Sequence, residues 1–169
     1  DEPDLVCEMM EAWLAVADST SGRHQQAVAL DEIVLHEDIC FGAGPLISPG
    51  MIREFLLPFY ERLLAEVKSR QPGVPLRVRL DSDGDIRPIL PLYQSVGFDA
   101  VSPLEASAGC DPVEIGEAYP EWVLWGGIDR RLLACSTEKM DAELERILPA
   151  MKARGGYVPH IDHRVPAGV

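Results

Sequence analysis

Five short apolar runs, each separated from the next by a helical segment, constrain the fold of this chain more than any other feature. They span Asp31 to His36, Leu76 to about Asp81, Asp99 to Pro103, Trp122 to Trp125, and Tyr157 to about Pro159. Runs of this length, rich in leucine and β-branched residues and bounded by turn formers, read as buried strands. No hairpin signal joins any neighbouring pair, so the strands are expected to be parallel, with right-handed helical crossovers. An open doubly wound sheet and a (β/α)8 barrel both satisfy that pattern. No GxGxxG or P-loop follows any strand, which removes the strongest mark of a nucleotide-binding open sheet.

The polar residues separate the two architectures. Every strand carries acids or histidine at or just beyond its C-terminal end: His36 to Asp38, Asp81 to Asp85, Glu105, Asp129, and His160 to His163. In a barrel those ends converge on one mouth, whereas in an open sheet only those near a switch point meet. The reading is therefore an α/β chain forming the C-terminal five βα units of a (β/α)8 TIM barrel. It treats residues 1–169 as one partial-barrel domain, with residues 1–30 as a helical lead-in. A five-stranded fragment leaves two open edges, the strands containing Val34 and Val158, and homo-oligomerisation through them is expected.

Helix signals fill the gaps between strands. Leu5, Met9, Trp13 and Val16 mark an amphipathic helix from Asp4 to about Ala17, with a polar break at Ser19 to Gly22. Ser48 and Pro49 supply an N-cap and first-turn proline for a helix running to about Arg70. Pro88 and Pro91 fit the first turn of the next helix, which ends at Gly97. Asp111, Pro112 and Glu114 form a cap, a first-turn proline and a capping-box partner. Ser136 caps a last helix with Met140, Leu144, Ile147, Leu148 and Met151 on one face, closed by Gly155 and Gly156.

The run LRVRLDSDGDI places Asp81, Asp83 and Asp85 around one glycine. Three carboxylates so close repel one another, and are comfortable only if solvated, capping a helix, or facing a cation or proton-transfer partner. The spacing is not that of an EF-hand loop, since Leu92 stands where the bidentate glutamate would be. A net charge of −13 argues against nucleic acid and anionic membrane surfaces as partners. Cys7, Cys40, Cys110 and Cys135 lie far apart without a CxxC pair, which fits free thiols in a reducing compartment. With no apolar run near the roughly 20 residues of a membrane span, the cytoplasm is the expected location. The opening DEPDLVCEMM reads as mid-helix, as in part of a longer protein.

Taken in order, LHEDICFGAGPLISPGMIREFLLPFY, DSDGD, VSPLEASAGCDP, WGGIDRRLL and GGYVPHIDHRVP resemble the uroporphyrinogen decarboxylase superfamily. That superfamily also contains zinc-dependent methyltransferases that move methyl groups between substrates, corrinoid proteins and coenzyme M. The resemblance runs from about Asp31 to the last residue and implies a (β/α)8 barrel of about twice this length. It also implies a small-molecule, tetrapyrrole or corrinoid substrate, with a corrinoid as partner-bound methyl carrier. The methyltransferase branch has a His-x-Cys pair where this chain has Asp81-x-Asp83, and a further cysteine where it has His163. Glu105 matches, by spacing, a glutamate that can approach the zinc. In the decarboxylase branch His163 is the counterpart of a histidine within a Gly-His-Gly turn, here flanked by Asp162 and Arg164. The decarboxylase's arginine and catalytic aspartate come from the first half of that barrel.

These matches set the candidate site. Asp81, Asp83, Glu105 and His163 form the expected metal set, whose oxygen-rich donors with one nitrogen suit zinc, manganese or iron. His163, Asp81 and Asp38 are the catalytic candidates, Asp38 by resemblance. His36, Asp129, His160 and Gly127 are the substrate-binding candidates, Gly127 because it permits close backbone approach to an anionic group. For each there is a plainer alternative: helix capping by Asp83 and Asp85, a surface ion pair for Asp38, a tight βα turn for Gly127. His160 and His163 with Asp162 also offer an oriented imidazole for acid–base work. The expected activities are methyl transfer, or decarboxylation of a polycarboxylate tetrapyrrole. The acidic mouth opposes an eight-carboxylate substrate. A folded but inactive self-associating module is the third possibility.

Overall fold

The computed structural model describes residues 2–165 and 167. Asp1 and Pro166, at the ends of two motifs quoted above, lie outside the described residues. A parallel sheet of five strands has the order β1 (Glu32–His36), β4 (Arg77–Asp81), β5 (Ala100–Leu104), β6 (Val123–Gly126) and β7 (Tyr157–Val158). The order in space is the order in sequence. A doubly wound sheet reverses its winding at a switch point, and this one does not, so the winding is that of a barrel segment.

Period-two alternation gives the sheet two different faces. Val78, Leu80, Val101 and Leu124 are fully buried on the convex side. The intervening residues Arg77, Arg79, Asp81, Val123 and Trp125 line the concave side and are only partly covered. Helices α2 (Pro49–Phe55), α3 (Leu57–Arg70), α4 (Leu90–Ser95), α5 (Pro112–Ala118) and α6 (Thr137–Arg154) form the crossovers. Their apolar faces supply Ile52, Leu63, Leu64, Val67, Leu90, Ile115, Ile147 and Met151 to one core. Tyr60, Tyr93 and Phe98 pack ring to ring within it, and Trp13 meets Tyr60 edge-on at 5.3 Å.

Several local expectations are corrected. The first helix, α1 (Pro3–Gln25), runs through the expected break at Ser19 to Gly22. Ser21 Oγ donates to the Ala17 carbonyl at 2.8 Å, and Arg70 of α3 holds Asp18 and Gln25. Packing on α3 thus overrides the weak local helix propensity of Ser19, Thr20, Ser21 and Gly22. The single helix expected from Ser48 to Arg70 is two, because Pro58 has no N–H to give to the Glu54 carbonyl, so the ladder breaks at Leu56 and restarts with Pro58 in the first turn of α3. Ser48 still caps the first, accepting from Met51 N at 3.1 Å. A small hairpin absent from the expectation, β2 (Cys40–Phe41) with β3 (Gly44–Pro45), lies between β1 and α2. Strands of two residues carry too little alternation to be read. The next helix begins at Leu90, so Pro91 sits in its first turn and Pro88 before it. No helix among the described residues is long and apolar enough to cross a membrane, and all four cysteines are free thiols.

Candidate active site at the strand ends

β4 delivers Asp81 as its last residue, on the concave face opposite Ser102 of β5. Asp81 Oδ2 accepts from Ser102 Oγ at 2.6 Å, and Ser102 Oγ in turn accepts from Arg79 at 2.9 Å. The Arg79 guanidinium also donates twice to Glu32, at 3.1 Å each, and stacks over Trp125 at 4.0 Å. His36 Nδ1, whose side chain is 75% exposed, stands 3.3 Å from Asp81 Oδ1. Asp81 therefore belongs to a concave-face network and not to the metal set in which it was expected. Its register partner took its carboxylate.

Asp83, Glu105 and His163 do come together. One ligand atom from each lies within 4.8 Å of the others, and this is the group among the described residues with metal-holding geometry. They arrive from the loops after β4, β5 and β7. Ser82, buried between the two aspartates, turns the chain off the sheet by accepting from Cys40 N and donating to the Asp83 carbonyl. Asp83 thereby leaves the strand direction that an i, i+2 pair would share. Gly84 then takes φ +82, and a Cβ there would lie 2.4 Å from the backbone of Phe41, so no other residue fits without displacing the hairpin. The Gly84 N–H donates to Glu105 Oε2 at 2.7 Å, and Ser107 holds the other oxygen. Burial works against ionisation of Glu105, but the Ser107 and Gly84 donors and the charges of His163 and Arg130 outweigh it, leaving the carboxyl below its ordinary value. His163 Nε2 faces Asp83 Oδ1 at 3.1 Å.

This donor set fits a divalent cation. Two carboxylates and one imidazole are the donor types of zinc, iron and manganese sites with positions left for substrate or water. Atoms bound to one ion at about 2.1 Å stand at most about 4.2 Å apart, so the set has only to contract slightly. Asp83, whose side chain is 52% exposed, has room to move.

The other candidates are placed elsewhere. Asp129 caps the short 3-10 turn Arg130–Ala134 and is held by Arg131 at 2.6–2.9 Å, which depresses its carboxyl below the ordinary range. Asp85 is likewise held by Arg87, at 2.7 Å. Gly127 has a packing reason: a Cβ there would meet Pro112 at 2.9 Å, at φ +85. His160 lies against Gly126 and edge-on to Trp125, its Nδ1 2.5 Å from the Ile161 carbonyl. Asp38 is an exposed turn residue at φ +43 whose N–H reaches the Asp81 carbonyl. It does not join the cluster.

Two residues of consequence, Glu37 and Arg130, were not singled out from the sequence, and Asp162 has a larger part than was expected of it. Glu37 turns to the convex side, where Tyr60 and Tyr93 donate to its Oε2 at 2.5 and 3.3 Å, and burial raises its carboxyl above the ordinary value. Period two signalled this, since it lies opposite in phase to His36. Asp162, expected only to orient an imidazole, is 5% exposed and accepts from the backbone at two separate loops. Arg130, half-buried beside Glu105, makes no side-chain hydrogen bond or ion pair among the described residues, unlike its neighbour Arg131.

Singly wound βα units whose strand ends carry the polar residues define an α/β barrel segment with its site at the C-terminal mouth. The model of the family described as uroporphyrinogen decarboxylase (URO-D) matches residues 9–169, and the chain belongs to that family. The match begins within α1, ahead of the resemblance read from the motifs. A search of curated proteins returns no match.

Proposed function

We propose that this chain carries the mouth of a methyl-transferring enzyme of the URO-D family, with Asp83, Glu105 and His163 holding a divalent cation. The observation that supports this reading is the meeting of those three donors from three separate βα loops. The cation would act as a Lewis acid, polarising an acceptor or leaving group of a small or corrinoid-linked methyl donor. The chain's own part is to hold the donors: Gly84 and Ser107 fix Glu105, and Ser82 directs Asp83 off the sheet. Zinc, manganese or iron would suit the set. The test is metal analysis of protein purified without chelator, beside Asp83→Ala, His163→Ala and Asp81→Ala. Metal near one equivalent in the parent and Asp81→Ala proteins, and lost from the other two, is the expected result. Equal and negligible metal in all four would sink the reading.

Decarboxylation of a polycarboxylate tetrapyrrole is the second reading, favoured by the half-buried Arg130 at the mouth, whose side chain has no partner among the described residues. Its guanidinium would receive a substrate carboxylate. Turnover of uroporphyrinogen, lost on Arg130→Gln, is its expected outcome, and no turnover by the parent protein counts against it. The edges at β1 and β7 end the sheet, and we expect copies to associate through them in the cytoplasm, as strand edges do when nothing else pairs them.

A further inference from the structure

Asp162 is the buried acid of this region. Its side chain is almost fully enclosed, 3% exposed, and its oxygens are divided between two loops. Oδ2 accepts from Ala106 N at 3.1 Å, the residue directly after Glu105. Oδ1 accepts from Arg130 N at 3.0 Å, the residue directly after Asp129. Its own N–H donates to the Ile128 carbonyl at 2.9 Å, beside the Ile128–Ile161 bridge that continues the β6–β7 pairing. Three successive strand ends are thereby joined through one carboxylate. That carboxylate also lies 3.8 Å from His163 Nδ1, on the side of the ring opposite the Nε2 that faces Asp83.

A buried carboxylate that only latched loops could have its histidine neighbour turned in any direction. Here the ring lies between two carboxylates, one exposed at 3.1 Å from Nε2 and one enclosed at 3.8 Å from Nδ1, so its two nitrogens face different partners. A proton on Nε2 would be shared with Asp83 and would block a cation at that nitrogen. A proton on Nδ1 leaves the Nε2 lone pair free. Resting on the cation-site reading above, we infer that Asp162 is a positioning residue: when the ring closes the 3.8 Å gap, Asp162 accepts a hydrogen bond from His163 Nδ1–H, which keeps the proton on Nδ1 and presents the Nε2 lone pair to the cation, and it fixes Glu105 through the Ala106 amide. Carboxylates behind a ligating imidazole act in this way by setting its tautomer and orientation. Asp162 does not touch the cation. It also gives a reason for an acid beside the cluster that brings no charge to the solvent-facing mouth.

The experiment uses the whole chain labelled with 15N in its histidines, titrated with zinc chloride. In the parent protein zinc binding is expected to leave His163 as the Nδ1–H tautomer, read from its two nitrogen shifts. Asp162→Asn should lower zinc affinity by about 10–100-fold and mix the tautomers in the zinc-free protein as well. Ala106→Pro removes one N–H partner while keeping the acid. It is expected to weaken zinc binding by less and to leave the tautomer unchanged, which separates the orienting role from the latch. Thermal melts check that both variants fold, and Asp162→Glu serves if the asparagine variant does not. Zinc binding and tautomer unchanged in a folded Asp162 variant would overturn the inference. If the parent protein binds no zinc, the cation reading fails. The zinc-free nitrogen shifts then judge Asp162 alone, and an unmoved tautomer rejects it.

Discussion

The two faces of the one sheet are built from the same strands and obey opposite rules. On the convex face Val78, Leu80, Val101 and Leu124 are fully buried under helices, and apolar area removed from water is what holds them. On the concave face Arg79, Asp81, Ser102, Glu32 and His36 form a connected polar network with Trp125 stacked on it. Burial stabilises the first by roughly 25 cal/mol per Å² of apolar area. The second contributes chiefly by leaving none of its charges without a partner. The difference teaches that the strands' hydrophobic pattern anchors only half of each strand, and that the other half is free to carry chemistry.

Three predictions sharpen that contrast, and the largest effect belongs to the convex face. Leu80→Ala opens a cavity at a site with no exposure, and unfolding by denaturant should show a loss of about 2–5 kcal/mol. A loss below about 1 kcal/mol would mean that the helix layer collapses onto the sheet more readily than its packing suggests. Arg79→Ala on the concave face removes the partner of Glu32 and Ser102 and the cover of Trp125. A smaller cost of about 1–3 kcal/mol is expected in the same measurement, and it should be reduced when Glu32→Gln is combined with it. Additive losses in that double mutant would break the idea of one coupled network.

The smallest effect concerns Glu37, a polar residue facing the convex layer. Its folded carboxyl lies above the ordinary value because burial disfavours the charge, despite the Tyr60 and Tyr93 donors. A group raised in this way contributes stability that is complete below its unfolded value and is lost as pH rises through its folded value. Glu37→Gln should therefore match or fall below the parent protein near pH 4. It should gain on it steadily as pH rises past the ordinary carboxyl value of 4.5. Thermal melts across pH 4–8 measure the gap, and a gap independent of pH would show that Glu37 ionises as freely as an exposed acid.

Much of the frame was legible from local pattern. Alternation of apolar runs with capped helices, and Ser48 and Asp111 as caps, depends on contacts within a few residues, and both caps form as read. The convergence of polar strand ends was legible for a related reason: parallel strands all point their C-terminal ends one way. Where distant packing intervened, the reading failed. α1 continues through its polar stretch because Arg70, the last residue of α3, and Gln71, which caps it, hold α1.

Within the site the same division applies. By itself the sequence determined that Asp83, Glu105 and His163 would lie at the barrel mouth, since each follows a strand that must be parallel to its neighbours. Only the tertiary structure decided that Asp81 would not join them. Its fate rests on the register that sets it opposite Ser102, and on the turn at Ser82 that carries Asp83 away from it. The burial of Asp162 behind His163 was decided in the same way, by two backbone N–H groups 32 and 56 residues distant in sequence. Register and loop closure are sums of many weak interactions across the whole sheet, and no local run of residues encodes them.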